Sequence, residues 1–578
     1  MLDLVKELED KNIRISLKEN NLEINFDGEI DSEILNKLRT NKEKLVYFLT
    51  KHSNVNKGIK SIGVLESYPI SHAQKRLWIQ SQIEEKSKAY HICNQIELNE
   101  NFDINILEDS VFKVIKRHEI LRTIFKLNEE GEIRQWILSD EELNFKVNHI
   151  DFRNEKEPYQ KVKQYIQEDN EIAFDFENGP LLRISFLKLT DEHYILYYNM
   201  HHIITDGWSI NILERDLFSY YQSFKSDVEC DLKDLLIQYK DYATWQLSSI
   251  ETGAYKSHRN FWRQQLSGDL PRLDLPSFKE RPRVITYNGH ILRTYLSPEL
   301  TNKIKGFCNQ NGGSLFMGLL TVLKILLNKY TSQQDIIMGT AVAGREDSDL
   351  EDQIGFYINT LVLRNEIDQE DSFFNFFEKV KKSTMEAFSH QIYPFDMLVS
   401  DLNLNWDTNR NSVFDSMITF HNTSDAKDNF QIDKDNFSTI VDLGSRKANF
   451  DFEFEFKETG DALSFVTSYN NDIYDFEMIE RLINHFKILI AEVLQNPYNP
   501  IKNINYLSEE EKYQLLLAFN DTRVAHPEDK TIIDLFEEQV AKTPNSIALV
   551  FEDKELTYQE LDDLSTQLSY SLREDYGI

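Results

Sequence analysis

Two adjacent histidines, followed after three residues by an aspartate and a glycine, form the stretch of this chain best suited to moving a proton: His201-His202-Ile203-Ile204-Thr205-Asp206-Gly207. Imidazole is the side chain whose charge changes near neutral pH. Tyr194, Ile195, Leu196, Tyr197, Tyr198 and Met200 before it read as a buried strand, and a helix pattern opens at Ser209. A strand that ends at a histidine pair, turns through Asp-Gly and re-enters a helix holds imidazole nitrogens at the lip of a sheet, within reach of a substrate.

The rest of the composition bounds what that site can serve. A chain of 578 residues exceeds one ordinary domain, and 41% hydrophobic residues suffice for several buried cores, so a multidomain soluble protein is expected. Against 64 basic residues stand 97 acidic ones, and the formal net charge of -33 repels phosphate backbones and anionic lipid. Nucleic acid and membrane are therefore excluded as partners. Met1 to Leu8 carries acids inside its apolar stretch, and no run of about 18 apolar residues could span a bilayer, which predicts a cytoplasmic protein. Cys93, Cys230 and Cys308 are far apart and form no CxxC, so they read as packing residues in a reducing compartment, and no metal site is expected.

Along the chain, residues 1–52 read as a small module in the order helix, hairpin, helix, helix. Ile13, Ile15 and Leu17, then Leu22, Ile24 and Phe26, alternate as two strands about a turn at Lys18 to Asn21. Residues 53–64 are polar and weakly periodic and read as a tether. From 65 to 500, helix patterns such as Leu315 to Tyr330 alternate with strand patterns such as Ile336 to Val342, the order of an α/β protein. Residues 501–530 read as a linker. Residues 531–578 read as a helix, a short strand pair and one more helix, the expected start of something longer.

The His-His block resembles the HHxxxDG signature of nonribosomal peptide synthetase condensation domains, in the chloramphenicol acetyltransferase superfamily. Further blocks resemble that family's motifs in order: Ser71 to Trp78 (SHAQKRLW), Arg117 to Phe125 (RHEILRTIF), Tyr239 to Trp245, Gly339-Thr340 with Ala343-Gly344-Arg345, Ile354 to Thr360 with Arg364, and His390 to Asp396. Residues 1–52 are similar to the N-terminal docking domains of tubulysin synthetases. Leu556-Thr557-Tyr558-Gln559-Glu560-Leu561 is similar to the first core motif of adenylation domains.

The resemblance implies a two-lobed α/β (α+β) pseudo-dimer with a tunnel between an N-lobe over 65–245 and a C-lobe over 246–500, preceded by an α-β-β-α-α docking domain. It implies amide formation between a donor acyl or peptidyl thioester on an upstream carrier protein and the amine of an aminoacyl thioester on a downstream one. Both would arrive on phosphopantetheine arms, with no cofactor bound to the chain itself. The implied partners of this monomer are donor and acceptor carriers, a C-terminal docking segment of an upstream synthetase, which makes donor delivery in trans, and a downstream adenylation domain. His202 is the implied catalytic residue, within a motif completed by His201, Asp206 and Gly207. Asp206 is expected to be structural and to need a cation, with Arg345 the first candidate and Arg76 the reserve. Gly207 is expected to permit the turn and to let the acceptor arm pass close to the backbone. Ser314 and Asn359 are candidates to line the tunnel, whereas His118, Arg122 and Trp78 are expected to be scaffold.

Other functions remain open at this stage. A heterocyclising relative would carry aspartates in place of the histidines, but epimerising and ester-forming relatives share the motif. The intact Arg117 to Phe125 and His390 to Asp396 blocks favour plain condensation, and the motif set is closer to L-donor domains. A docking and scaffolding unit with lapsed chemistry is the alternative of a different class.

Overall fold

The aromatic and β-branched run Tyr194–His201 (β9) becomes the buried middle strand of a sheet because both of its edges are occupied and both faces are covered. This structure is a computed structural model describing residues 14–18, 21–25, 58–82, 90–98, 102–404, 407–421, 440–525 and 527–578. β9 pairs antiparallel with His91–Leu98 (β4) on one side and Leu182–Lys188 (β8) on the other, and β8 pairs in parallel with Asn148–Asp151 (β7). The helices Ile104–Arg117 and Gly207–Ser226 pack together in this first lobe. Beside them lies a three-stranded sheet of Tyr68–Pro69 (β3), Ile133–Ile137 (β6) and Thr123–Leu127 (β5).

The second lobe is built on seven strands: Asn288–Leu296 (β10), Asp335–Val342 (β11), Asn359–Glu366 (β12), Ser416–His421 (β13), Val441–Lys447 (β14), Phe452–Thr459 (β15) and Ala462–Asn470 (β16). Their order is β12-β11-β13-β15-β16-β10-β14, with β11–β13 and β13–β15 parallel and the remaining pairs antiparallel. The helix Leu315–Thr331 is buried from Met317 to Asn328 in its core.

One connection decides the architecture. β11 and β12 are antiparallel neighbours with Val342 opposite Asn359, yet the chain between them, residues 343–358, leaves this sheet and enters the other lobe. Leu350, Ile354, Phe356 and Tyr357 belong to the first hydrophobic core, with residues drawn from 59–243. Gly344 makes the excursion possible, because its φ of +66° suits glycine and a Cβ there would stand 2.0 Å from the Tyr357 carbonyl oxygen.

Three boundaries drawn from the sequence therefore shift. The range 246–500 is not one lobe, because residues 350–357 complete the core of the other. The described part of the tether is packed: Ile59 is in the first core and the Ile62 N–H donates to Asp241 at 2.7 Å. The linker begins later than 501, because Ile501 and Ile504 lie in the second core.

The chain divides into two compact units, the first ending at Tyr506. The second, Leu507–Ile578, contains the helix Ile532–Lys542, a hairpin of Ile547–Phe551 (β17) and Lys554–Thr557 (β18), and the helix Tyr558–Tyr576. Of the N-terminal module, the hairpin Arg14–Lys18 (β1) with Asn21–Asn25 (β2) is described, in antiparallel register. Its three expected helices lie outside the described residues. Among the described residues, no single helix is long and apolar enough to cross a membrane.

Candidate active site at the junction of the lobes

β9 delivers the motif and then stops. His201 is its last residue, His202–Ile204 form a single 3-10 turn, and Asp206 caps the helix Gly207–Ser226 by accepting the Ser209 N–H at 2.8 Å. The two imidazoles face different surroundings. His201 is fully buried, with Phe176 at 4.7 Å and His91 at 6.0 Å between ring centroids, and its Nδ1 accepts the Ile203 N–H at 3.1 Å. Burial holds its pKa well below the ordinary histidine value. Of the two histidines expected in the reacting group, His201 is the one packed among rings, where its Nδ1 shapes the turn.

His202 is half-buried, its ring edge-on to Phe356 at 4.9 Å. Its Nδ1 lies 2.6 Å from the Thr205 carbonyl oxygen, an acceptor with no proton to give, so Nδ1 must carry the hydrogen. Nε2 then holds the lone pair, and no hydrogen bond from the described residues engages it. Burial lowers the His202 pKa below 6.5, the Thr205 carbonyl and Asp206 partly offset this, and the Arg76 charge lowers it further. At neutral pH the ring is an uncharged base.

Asp206 is completely buried, and both of its oxygens are used. Oδ1 accepts from Ser209 Oγ at 2.7 Å and from the Arg345 guanidinium at 3.1 Å, and Oδ2 accepts the Tyr357 N–H at 3.0 Å. Arg345, with a 2% exposed side chain, also donates to the carbonyls of Leu350 and Gln353 and to Ser209 Oγ. The motif aspartate is thus the anchor that the crossing loop grips. Arg76, the reserve partner, is elsewhere: it reaches across a cleft, 5.8 Å from the centre of the Phe395 ring.

That cleft encloses about 690 Å³, including its open mouth. Its walls are the helix His72–Ser81, through Ala73 and Arg76, the helix Tyr239–Glu251, the crossing loop and the turn 391–396. Its lining does not include His202, where the resemblance implied a tunnel through the reaction centre. The two share walls, however. Tyr357 of the cleft follows Phe356, on which His202 packs, and Gln74 in the helix of Arg76 donates to the Ile203 carbonyl at 3.3 Å.

One other expectation of position holds and two, those for Ser314 and Gly207, change. Asn359 lines the cleft, but its amide is spent on backbone, donating to the Gln391 and Tyr393 carbonyls at 2.7 Å each and accepting the Phe395 N–H at 3.1 Å. Ser314 is the exposed N-cap of Leu315–Thr331, accepting the Met317 N–H, and is absent from the cleft lining. Gly207 does not permit the turn by conformational freedom, since its φ is not in the left-handed region; a Cβ there would simply meet open space. His118 is a buried scaffold residue, its Nε2 2.8 Å from Asp216.

Two contributors escaped the sequence reading. Ser209 ties Asp206 to Gly355, whose N–H donates to its Oγ at 3.1 Å. Gln74 completes a capping box with Ser71, a Ser-x-x-Gln signal that marks a helix start but not its tertiary use. Among the described residues, no group of three His, Cys, Asp or Glu side chains could hold a metal ion.

A family profile described as "Condensation domain" matches residues 64–516. Surfactin synthase subunit 1 of Bacillus subtilis (strain 168) is 35% identical over 504 residues, which cover 87% of this chain and 14% of that protein. Bacitracin synthase 2 of Bacillus licheniformis is 34% identical over 535 residues, covering 93% and 20%. This chain thus spans a minor part of the relatives it matches. A crystal structure of a holo four-domain nonribosomal peptide synthetase bound to AMP and glycine aligns with a TM-score of 0.71 at 20% identity, covering 90% of this chain and 40% of that one. The first condensation domain of the calcium-dependent antibiotic synthetase, in complex with a substrate analogue, aligns with a TM-score of 0.62 at 16% identity, covering 76% and 99%. The chain belongs to the condensation-domain family of nonribosomal peptide synthetases.

Proposed function

We propose that this chain joins a donor acyl or peptidyl thioester on an upstream carrier to the amine of an aminoacyl thioester on a downstream carrier, with His202 at the reaction centre. One observation carries the reading: a half-buried imidazole whose Nδ1–H is fixed on the Thr205 carbonyl, leaving Nε2 unprotonated and without a hydrogen bond from the described residues. As the C–N bond forms, Nε2 takes the amine's proton and returns it to the departing thiolate. General base catalysis of this kind contributes about 10²- to 10⁴-fold. An α-amine of pKa about 8 is roughly one tenth neutral at pH 7, a cost of only about 1.4 kcal/mol, so holding the two arms in line contributes as much as basicity. The Gly207 amide, in the first turn of its helix, has no intrahelical partner and suits the oxyanion.

The finer reading follows from the ends and the motif set. The hairpin of residues 14–25 offers a strand edge on which an upstream C-terminal segment can add, delivering an L-configured donor in trans. Residues 531–578 are the start of an adenylation domain. The test is product formation from preloaded carriers, read by mass spectrometry. His202→Ala should lose about 10² to 10⁴ in rate, and His201→Leu should keep measurable turnover. Full activity in His202→Ala overturns the assignment; a wild-type chain that makes no product with any donor and acceptor pair returns the reading to a scaffold.

A further inference from the structure

His91 stands directly opposite His201 in the β4–β9 ladder, so the two imidazoles share one face of the sheet. Their rings are edge-on with centroids 6.0 Å apart, and Phe174 packs against both, at 4.8 Å from His91 and 6.1 Å from His201. Burial lowers both pKa values, so at neutral pH each ring carries one hydrogen. Each also spends one nitrogen on backbone. The Ile203 N–H donates to His201 Nδ1, so that atom holds the lone pair and the hydrogen sits on Nε2. His91 Nδ1 lies 3.0 Å from the Asn170 carbonyl oxygen, which can only accept, so there the hydrogen sits on Nδ1 and Nε2 holds the lone pair. Both Nε2 atoms are shut off from solvent, and neither has a hydrogen-bond partner among the described residues. One ring therefore has a donor in need of an acceptor, and its cross-strand neighbour an acceptor in need of a donor.

The support beneath His91 is tied to the strand that carries the motif. Asn170 ends the helix Pro158–Asn170, and the preceding Asp169 accepts from the Tyr197 hydroxyl and the Asn199 amide at 2.8 Å each. Tyr197 and Asn199 alternate along β9 towards His201, on the same face. On the other side of His201, Ile203 belongs to the 3-10 turn His202–Ile204. A hydrogen moved to His201 Nδ1 would confront the Ile203 N–H donor against donor, and the turn that presents His202 would lose its cap.

We propose that His91 is a positioning residue for the reaction: its Nε2 accepts the His201 Nε2–H, directly or through one water, and so holds His201 in the tautomer that caps the turn and aims His202. The inference rests on the reading of His202 as the base, and it adds a residue outside the motif that acts on it.

Nitrogen NMR of the whole chain with labelled histidine rings reads the tautomers, and His201→Leu assigns the His201 signals. In the wild type, His201 should carry its hydrogen on Nε2 and His91 on Nδ1; the opposite tautomer on either ring overturns the proposal before any substitution at position 91 is made. His91→Phe keeps an aromatic ring and removes the acceptor. His201 should then populate its Nδ1–H form, and kcat should fall about tenfold with KM for the acceptor carrier within about twofold. His91→Gln supplies a side-chain carbonyl as acceptor and should restore both the Nε2–H form and kcat, the latter to within about threefold of wild type. Asn199 Oδ1 is another buried acceptor on this face without a donor among the described residues. An unchanged His201 tautomer in His91→Phe would assign the hydrogen to it and overturn the proposal, as would an unchanged kcat or a loss that glutamine does not reverse. The tautomers are read without turnover, so a fully active His202→Ala chain would end the catalytic reading and leave the His91–His201 bond to be judged by NMR alone.

Discussion

Replacing Arg345 by methionine removes the cation paired with Asp206 while keeping much of the side chain's bulk. The structure shows what is left behind. Asp206 keeps three neutral donors, the Ser209 N–H and Oγ–H and the Tyr357 N–H, but carries an unpaired charge, and the Leu350 and Gln353 carbonyls lose a donor. Removing one partner of a buried pair costs about 3–5 kcal/mol. Because this pair fastens the crossing loop to the first lobe, the cost falls on local opening of residues 343–358 before it reaches global unfolding. At about 1.4 kcal/mol per factor of ten, amide hydrogen exchange in that loop should accelerate by roughly two to three and a half orders of magnitude. Mass spectrometry of exchanged peptides reads it, and peptides from β15 and β16 should keep their wild-type protection. The effect should persist at high salt, since the paired side chains are 2% and 0% exposed and screening acts on exposed charges. Wild-type protection in the loop, or an equal loss throughout the chain, would refute the idea that this pair holds the loop.

Further outcomes follow from the same contacts. His202 must be unprotonated to accept a proton, so kcat/KM should fall as pH drops through a pKa below 6.5; Arg76→Met removes a charge that lowers this pKa and should move the acid limb upward. An unmoved limb in the pH profile contradicts it. Gly355→Ala places a Cβ 2.1 Å from the Tyr239 ring and should cost about 1–3 kcal/mol in urea unfolding, whereas Gly207→Ala meets no atom within 4 Å and should leave stability intact while slowing product formation if the acceptor arm passes there. Lys324 is fully buried, its ammonium donating to the Leu363 carbonyl and to Asn365 Oδ1 at 2.7 Å each, and burial brings its pKa from 10.5 to about 7. Between those values the unfolded chain holds a proton that the folded chain has released, so stability gains up to about 1.4 kcal/mol per pH unit from this group. Urea midpoints at pH 7 and 9 should show that contribution lost in Lys324→Met.

Much of the site was legible before any coordinates. The run Tyr194 to Met200 announced a buried strand, and the Asp-Gly turn after it placed a histidine pair at the strand's end, which is where β9 and its 3-10 turn put them. The residues flanking the N-terminal turn alternated as the paired strands β1 and β2 do. The block containing Arg345 was recognisable, and so was the need of a buried aspartate for a cation. Side-chain assignments made by position alone fared unevenly: Asn359 does line the cleft and Ser314 does not. Asn359 and Ser314 are polar residues near the expected channel, and each turned out to satisfy backbone groups, one in the turn 391–395 and the other at a helix start.

Strand, turn and helix-cap signals are local: alternation every two residues, a turn dipeptide, a hydroxyl before a helix, each settled within a few neighbours and so readable in one dimension. The sequence alone therefore determined where β9 ends, which imidazoles stand there and which family's motifs follow in order. Partner choice is different. Arg345 meets Asp206 across 139 residues, and Arg76 does not, because a loop leaves one sheet at Val342, packs Leu350, Ile354, Phe356 and Tyr357 into the other lobe's core and returns at Asn359. That route is chosen by where apolar surface can be buried in three dimensions, and only the tertiary structure decides it.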